Sequence, residues 1–115
     1  PLTIIFETAS RLKEHTIHAR TVAVRIPDCT ICLELIKQTG FPLVSTSANL
    51  AGKPPSTSAE QVQAAFGDQL DLIIDGGPTP ESLPSTLVDI TRTPARIVRE
   101  GAISALEIKT VLEID

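Results

Sequence analysis

Six short apolar runs, none longer than six residues, are separated by Gly, Pro and helix-start signals, and this punctuation limits the fold more than any other feature of the sequence. Leu2–Phe6, with β-branched residues on both faces, and Thr21–Ile26, Phe41–Val44, Leu70–Ile74, Leu87–Ile90 and Ala95–Val98, all mostly apolar, read as strands. Pro27 stops the second, and Arg92-Thr93-Pro94 joins the last two as a hairpin. Helices are expected between them. Asp28 is placed to cap one reaching about Gln38, with Ile31, Leu35 and Ile36 on one face and Gly40 as its stop. Ser58-Ala59-Glu60-Gln61 has the form of a capping box and opens a second helix, through Val62, Ala65 and Phe66 to Gly67. Ser104-Ala105-Leu106-Glu107 opens a third, with Leu106, Ile108, Val111 and Leu112 as its apolar positions. Glu7–Arg20 and the proline-bearing stretch Gly76–Pro84 are connections. Strands and helices without strict alternation predict an α/β fold: a sheet of mixed parallel and antiparallel strands with flanking helices. At 115 residues it is at most one domain.

No apolar run is long enough to cross a membrane and no signal-peptide pattern opens the chain, so a cytoplasmic setting is the default. A net charge of −4 argues against a general electrostatic grip on nucleic acid. The chain contains no methionine, so Pro1 is not an encoded start, and a strand begins at once. A piece of a longer chain is expected.

The densest polar chemistry is Ser45-Thr46-Ser47-Ala48-Asn49, followed by Gly52 and Pro54-Pro55. Three hydroxyls and a carboxamide after an apolar run suit a cradle for phosphate or carboxylate oxygens, and equally a plain Ser/Thr-rich turn. Arg25 and Arg99 end strands, where a planar guanidinium captures a carboxylate or forms an edge salt bridge. Ser85-Thr86 stands at the entrance to another strand. Ligands of open sheets collect at such strand ends. Cys29-Thr30-Ile31-Cys32 has redox or zinc half-site spacing, but no second pair follows, and two structural thiols are the better reading. His15, His18 and the basic stretch Arg11–Arg20 read as solvated surface, with RNA contact left open. No nucleophilic triad, GxGxxG or P-loop is present, so a catalyst here works by positioning and charge stabilisation.

In this order, Pro1-Leu2-Thr3, Thr21-Val22-Ala23-Val24-Arg25-Ile26-Pro27, Ser45–Asn49 with Gly52 and Pro54, Ile74-Asp75-Gly76-Gly77, Ser85-Thr86-Leu87-Val88-Asp89 and Arg99-Glu100-Gly101-Ala102 resemble the YrdC-like family of L-threonylcarbamoyladenylate synthases. The resemblance implies a twisted YrdC/RibB-like mixed sheet around a cavity. It also implies a nucleotidyltransferase that makes threonylcarbamoyl-AMP and pyrophosphate from ATP, bicarbonate and L-threonine for the t6A modification of tRNA. By position, Thr21, Ser47 and Arg99 would contact ATP, with Ser56 at its border. Arg25, Ser45 and Ser85 would hold threonine, Arg25 on its carboxylate. Ser47 and Asn49 would form the catalytic adenylate site. Mg2+ would bridge phosphates, with no dedicated metal site, and tRNA and a downstream threonylcarbamoyl transferase would be partners. The family's Lys-x-Arg segment does not occur in these residues, so the resemblance makes residues 1–115 a partial domain, expected to be inactive alone. Glu100 stands where the family often has Pro and is expected to weaken the hold of Arg99 on phosphate. The rival readings are a YrdC-like module binding double-stranded RNA or tRNA, the YrdC-like domain of a carbamoyltransferase, and a fragment without independent function.

Overall fold

The computed structural model describes residues 1–9, 19–79 and 83–113. They fall into two compact units, one within residues 1–28 and 82–115 and the other within residues 29–81.

The first unit is a four-stranded sheet of order β2-β1-β3-β4, made of β1 (Leu2–Glu7), β2 (Thr21–Val24), β3 (Thr86–Asp89) and β4 (Arg96–Arg99), followed by a helix Ala105–Leu112. Strand β1 pairs antiparallel with β2 and parallel with β3, and β3 pairs antiparallel with β4. This is the mixed sheet expected from the unequal spacing of strand and helix signals. Side chains alternate across a strand, so register sorts them by face. Ile4, Val24 and Val88 share one face with Leu2, Phe6, Val22 and Ile97. Val88, at 3% exposure, and Ile108 of the last helix are the buried apolar centre. Each contributes about 2 kcal/mol. The opposite face carries Thr3, Ile5, Glu7, Thr21, Ala23, Leu87, Asp89 and Arg99.

The hairpin turn is held by Asp89, whose Oδ1 accepts the Thr91 N–H at 2.9 Å and the Thr91 hydroxyl at 2.6 Å. These bonds hold its carboxyl below its ordinary value, aided by Arg92, whose Nε lies 3.3 Å from Oδ2. The Thr93–Pro94 bond in this turn is cis.

The second unit contains α1 (Thr30–Thr39) and α2 (Ala59–Phe66), which makes the Ala105–Leu112 helix α3. Gly40 ends α1 at φ 75°, where its N–H reaches the Ile36 carbonyl, as its place in the sequence predicts. Cys29 rather than Asp28 is the N-cap of α1, and no side chain caps it. Neither α1 nor α2 has a buried residue, so the stripe read at Ile31, Leu35 and Ile36 does not form a core in this unit.

Two expected strands are absent among the described residues. Phe41–Val44 and Leu70–Ile74 join no ladder, and apart from the half-buried Ile73 their side chains are exposed, Val44 fully so. Apolar, β-branched composition favours extended backbone, but a strand also needs a neighbour for its N–H and C=O groups. Pro42 removes one donor from the first run.

Of the two capping boxes, Ser104 closes as expected. Its Oγ accepts the Glu107 N–H at 3.3 Å, and Glu107 Oε2 accepts the Ser104 N–H at 3.0 Å and the Ser104 hydroxyl at 2.6 Å. At Ser58 only half forms: its hydroxyl caps Gln61 N–H, while the Gln61 carboxamide turns to the Thr57 N–H at 2.8 Å. Ser104→Ala is expected to lower stability by about 1 kcal/mol. The Ser104 hydroxyl and N–H hold the Glu107 carboxyl below its ordinary value of 4.5. A depressed carboxylate stabilises the fold above that value and loses its contribution as pH falls through the lowered folded value. The gap in melting midpoint between the wild-type chain and Ser104→Ala should therefore be full at pH 7 and shrink at pH 3.

Candidate functional site

In the sheet unit, the central cluster forms around Ser85, the residue preceding β3, which is 8% exposed. The Thr3 and Ser85 hydroxyls lie 2.7 Å apart. Arg99 closes a fork on the same residue: its Nε and Nη2 donate to the Ser85 carbonyl at 3.2 and 2.8 Å, and Nη2 reaches Ser85 Oγ at 3.3 Å. A planar guanidinium can hold one backbone oxygen this way and keep donors on its far edge. The Nη1 group of Arg99 has no hydrogen bond among the described residues.

A register shift at Leu87/Val88 places Arg99 on this face. Asp89 pairs with Arg96 and Val88 with Ile97, and an unbroken ladder would next set Val98 opposite Leu87 and Arg99 opposite Thr86, on the apolar face. Instead Arg99 pairs with Leu87, and Val98 is the extra residue. One inserted residue re-aims every side chain that follows it. Arg99 thereby joins the face that carries Thr3.

Thr21 and Arg25 lie across β1 from this cluster. Thr21 pairs with Glu7 and is exposed. Arg25 follows the last ladder pair of β2, Ile4↔Val24, on the side where Thr3 follows in β1. It is exposed and enters no ion pair among the described residues. The polar side of the sheet thus carries hydroxyls at Thr3, Ser85 and Thr21, with one guanidinium on Ser85 and another at the end of β2.

The neighbouring hydroxyl, Thr86, is fully buried and serves the scaffold. Its Oγ1 accepts the N–H groups of Gly101 and Ile103, each at 3.0 Å, and donates to the Ile103 carbonyl. Glu100 makes no ion pair with Arg99 among the described residues. Its Oε1 accepts the Ala105 N–H at 2.8 Å, at the start of α3, where a carboxylate is favoured by the unpaired backbone donors. Its charge is directed to the helix.

In the second unit, the Ser45–Asn49 segment is an irregular loop. The Asn49 N–H donates to the Ser47 carbonyl at 3.1 Å, and the Ser56 N–H to the Ala48 carbonyl at 2.8 Å, so Ser47, Asn49 and Ser56 belong to one folded loop. Asn49 Nδ2 donates to the carbonyls of Leu50 and Lys53, at 3.1 and 3.0 Å, bracing the turn that passes through Gly52 at φ 78°. Two carbonyl partners fix the orientation of the amide. Asn49 Oδ1 is consequently a covered acceptor without a partner among the described residues. Ser45 and Ser47 are exposed, as are the Cys29 and Cys32 side chains. His15, His18 and Arg11 lie outside the described residues. No group of three His, Cys, Asp or Glu side chains with metal-ligand spacing occurs among the described residues, and none of the described helices is long and apolar enough to cross a membrane.

The mixed sheet with its hydroxyl- and guanidinium-bearing face places the chain among α/β proteins whose sheet combines parallel and antiparallel strands. More narrowly, the chain belongs to the Sua5/YciO/YrdC family, whose sequence profile, described as "Telomere recombination", matches residues 1–101. It is 41% identical over 92 residues to the threonylcarbamoyl-AMP synthase of Pyrococcus abyssi, covering 80% of this chain and 27% of that protein. It is 38% identical over 92 residues to the enzyme of the same name from Bacillus subtilis, with the same coverage. The Mus musculus threonylcarbamoyl-AMP synthase is 39% identical over 110 residues, covering 88% of this chain and 39% of the relative. A crystal structure of Pyrococcus abyssi Sua5 complexed with L-threonine superposes with a TM-score of 0.84 at 37% identity, covering 96% of this chain and 33% of that one. The chain therefore spans less than half the length of these relatives.

Proposed function

We propose that this chain supplies the threonine-contacting and part of the adenylate-contacting surface of an L-threonylcarbamoyladenylate synthase. The observation that carries the reading is the cluster on one sheet face, where the Arg99 fork and the Thr3 hydroxyl fix Ser85. Family membership supplies the substrate class, since a relative of known structure is described as complexed with L-threonine.

In this reading Arg25 pairs with the carboxylate of threonine, and Ser45 and Ser85 complete its site. Thr21, Ser47, Ser56 and the outer edge of Arg99 contact ATP, which enters as its Mg2+ complex. Asn49 orients the adenylate site by bracing the loop that carries Ser47, its amide hydrogens engaged in the turn and its carbonyl oxygen covered. The threonine amine adds to CO2 derived from bicarbonate, giving a carbamate and releasing a proton. A carbamate oxygen attacks the α-phosphorus, the bond to the bridging oxygen breaks, and pyrophosphate leaves with the electron pair. Guanidinium and hydroxyl donors at fixed positions stabilise the charge that develops on those oxygens. A cytoplasmic setting, with tRNA and a threonylcarbamoyl transferase downstream, belongs to the same proposal.

These 115 residues hold no Lys-x-Arg segment. The chain alone is expected to bind L-threonine and to release little pyrophosphate. Turnover dependent on threonine and bicarbonate is expected when a polypeptide bearing the family's Lys-x-Arg half is added. Calorimetric titration with threonine and a pyrophosphate-release assay check both statements. Robust turnover by the chain alone would refute the division of the site.

A further inference from the structure

We infer that Thr3 is a positioning residue for the threonine site, acting through the Ser85 hydroxyl; the inference rests on the function proposed above. Three observations carry it. The two hydroxyls are 2.7 Å apart, a strong O–H···O distance. Ser85 is nearly buried, so the rotamer of its hydroxyl is set by these neighbours rather than by water. Thr3 also holds a central place in the sheet register. It pairs with Leu87, which pairs with Arg99 on the far side, while Arg25 follows the ladder on the near side. Thr3 is thus set between the strands that bring the two guanidiniums.

The pair has two hydroxyl protons, and their mutual bond uses one. Arg99 Nη2 donates to Ser85 Oγ, so one of the oxygen's lone pairs is engaged by a cation. What remains for a ligand is one O–H donor in a positive field. Such a donor receives a carboxylate or hydroxyl oxygen and disfavours an ammonium group. Without Thr3, the Ser85 hydroxyl keeps Arg99 as its one side-chain hydrogen-bond partner among the described residues and loses the partner that fixes its direction.

The test is calorimetric titration of the 115-residue chain with L-threonine and, separately, with ATP, for the wild type, Thr3→Val, Thr3→Ser, Ser85→Ala and the Thr3→Val/Ser85→Ala double variant. Valine keeps the shape of threonine and removes its oxygen. Thr3→Val is expected to weaken threonine binding about fivefold to tenfold. ATP binding should stay within about twofold, and Thr3→Ser should restore threonine affinity to within about twofold. On the Ser85→Ala background, Thr3→Val should cost nothing further, since the two act as a unit. If Thr3→Val does not fold, Thr3→Ala takes its place in the same cycle. Unchanged threonine affinity in Thr3→Val, equal loss of threonine and ATP, failure of serine to rescue, or full additivity with Ser85→Ala overturns the inference and leaves the function standing. Absence of threonine binding by the wild-type chain overturns the function, and this inference with it.

Discussion

Gly101→Ala is expected to lower the melting midpoint of the chain by at least about ten degrees. A methyl group at Gly101 would fall well inside van der Waals contact of the Pro84 carbonyl oxygen, and 2.7 and 2.8 Å from the Ser85 carbonyl carbon and the Thr86 nitrogen. All three are backbone atoms at the entrance to β3, so no side chain can swing aside. The close approach is itself bonded: Ala102 N–H donates to the Pro84 carbonyl at 3.0 Å, and Gly101 N–H to Thr86 Oγ1. Making room means separating the Glu100–Ile103 segment from β3 and breaking both. Forced overpacking of this kind costs about 3 kcal/mol. For a small domain each kcal/mol corresponds to about 4–8 °C. Gly76→Ala is the control, because its new methyl would meet only the Ile31 Cδ1 atom, at 2.9 Å, on a flexible side chain. Thermal unfolding followed by circular dichroism checks both, and a Gly101→Ala midpoint no lower than that of Gly76→Ala would refute the packing argument. Because the new methyl would press on the Ser85 backbone itself, the same substitution should also weaken threonine binding.

What was legible in the sequence is what local chemistry decides. Strand β1, the β3–β4 hairpin, the Gly40 stop and the Ser104 box follow from β-branched runs, a left-handed glycine and a reciprocal cap. Their partners are at most a few residues away in the chain or supplied by the sheet itself. Phe41–Val44 and Leu70–Ile74 carry the same local signal and form no ladder, since pairing depends on a neighbour that composition does not name. The proposed site reads in the sequence as residue types at strand ends, and the contacts among those residues do not. Ser85 and Thr86 are adjacent hydroxyls of similar character. Register alone sends one toward Thr3 and Arg99 and encloses the other. The face of Arg99 rests on one extra residue at Val98, a shift that no periodicity of a four-residue strand reveals. Thr3 looked like the second residue of an ordinary strand, and its role follows only from the parallel pairing of β1 with β3, across more than eighty residues of sequence.

Thr86→Val would remove a single oxygen from the centre of this arrangement, and its effect is expected to rival that of Gly101→Ala. Thr86 is fully buried, and its hydroxyl both accepts from two backbone N–H groups and donates to a carbonyl. Valine fills the same volume without any of these bonds. The Gly101 N–H, the Ile103 N–H and one lone pair of the Ile103 carbonyl would then be left unsatisfied in a site with little access to water. An unsatisfied buried polar group costs about 1–3 kcal/mol. Partial relaxation of three such groups gives an expected loss of about 3 kcal/mol, read as a lower denaturant midpoint with little change in slope. Thr86→Ser keeps the oxygen and gives up one methyl, so it should lose only about 1 kcal/mol. If serine were more damaging than valine, packing of the methyl rather than the hydroxyl would hold the segment. Combining Thr86→Val with Gly101→Ala should cost clearly less than the sum of the two, because each breaks the bond between Gly101 N–H and Thr86. That non-additivity is the signature of one oxygen coupling the Arg99–Ile103 segment to the strand that presents Ser85.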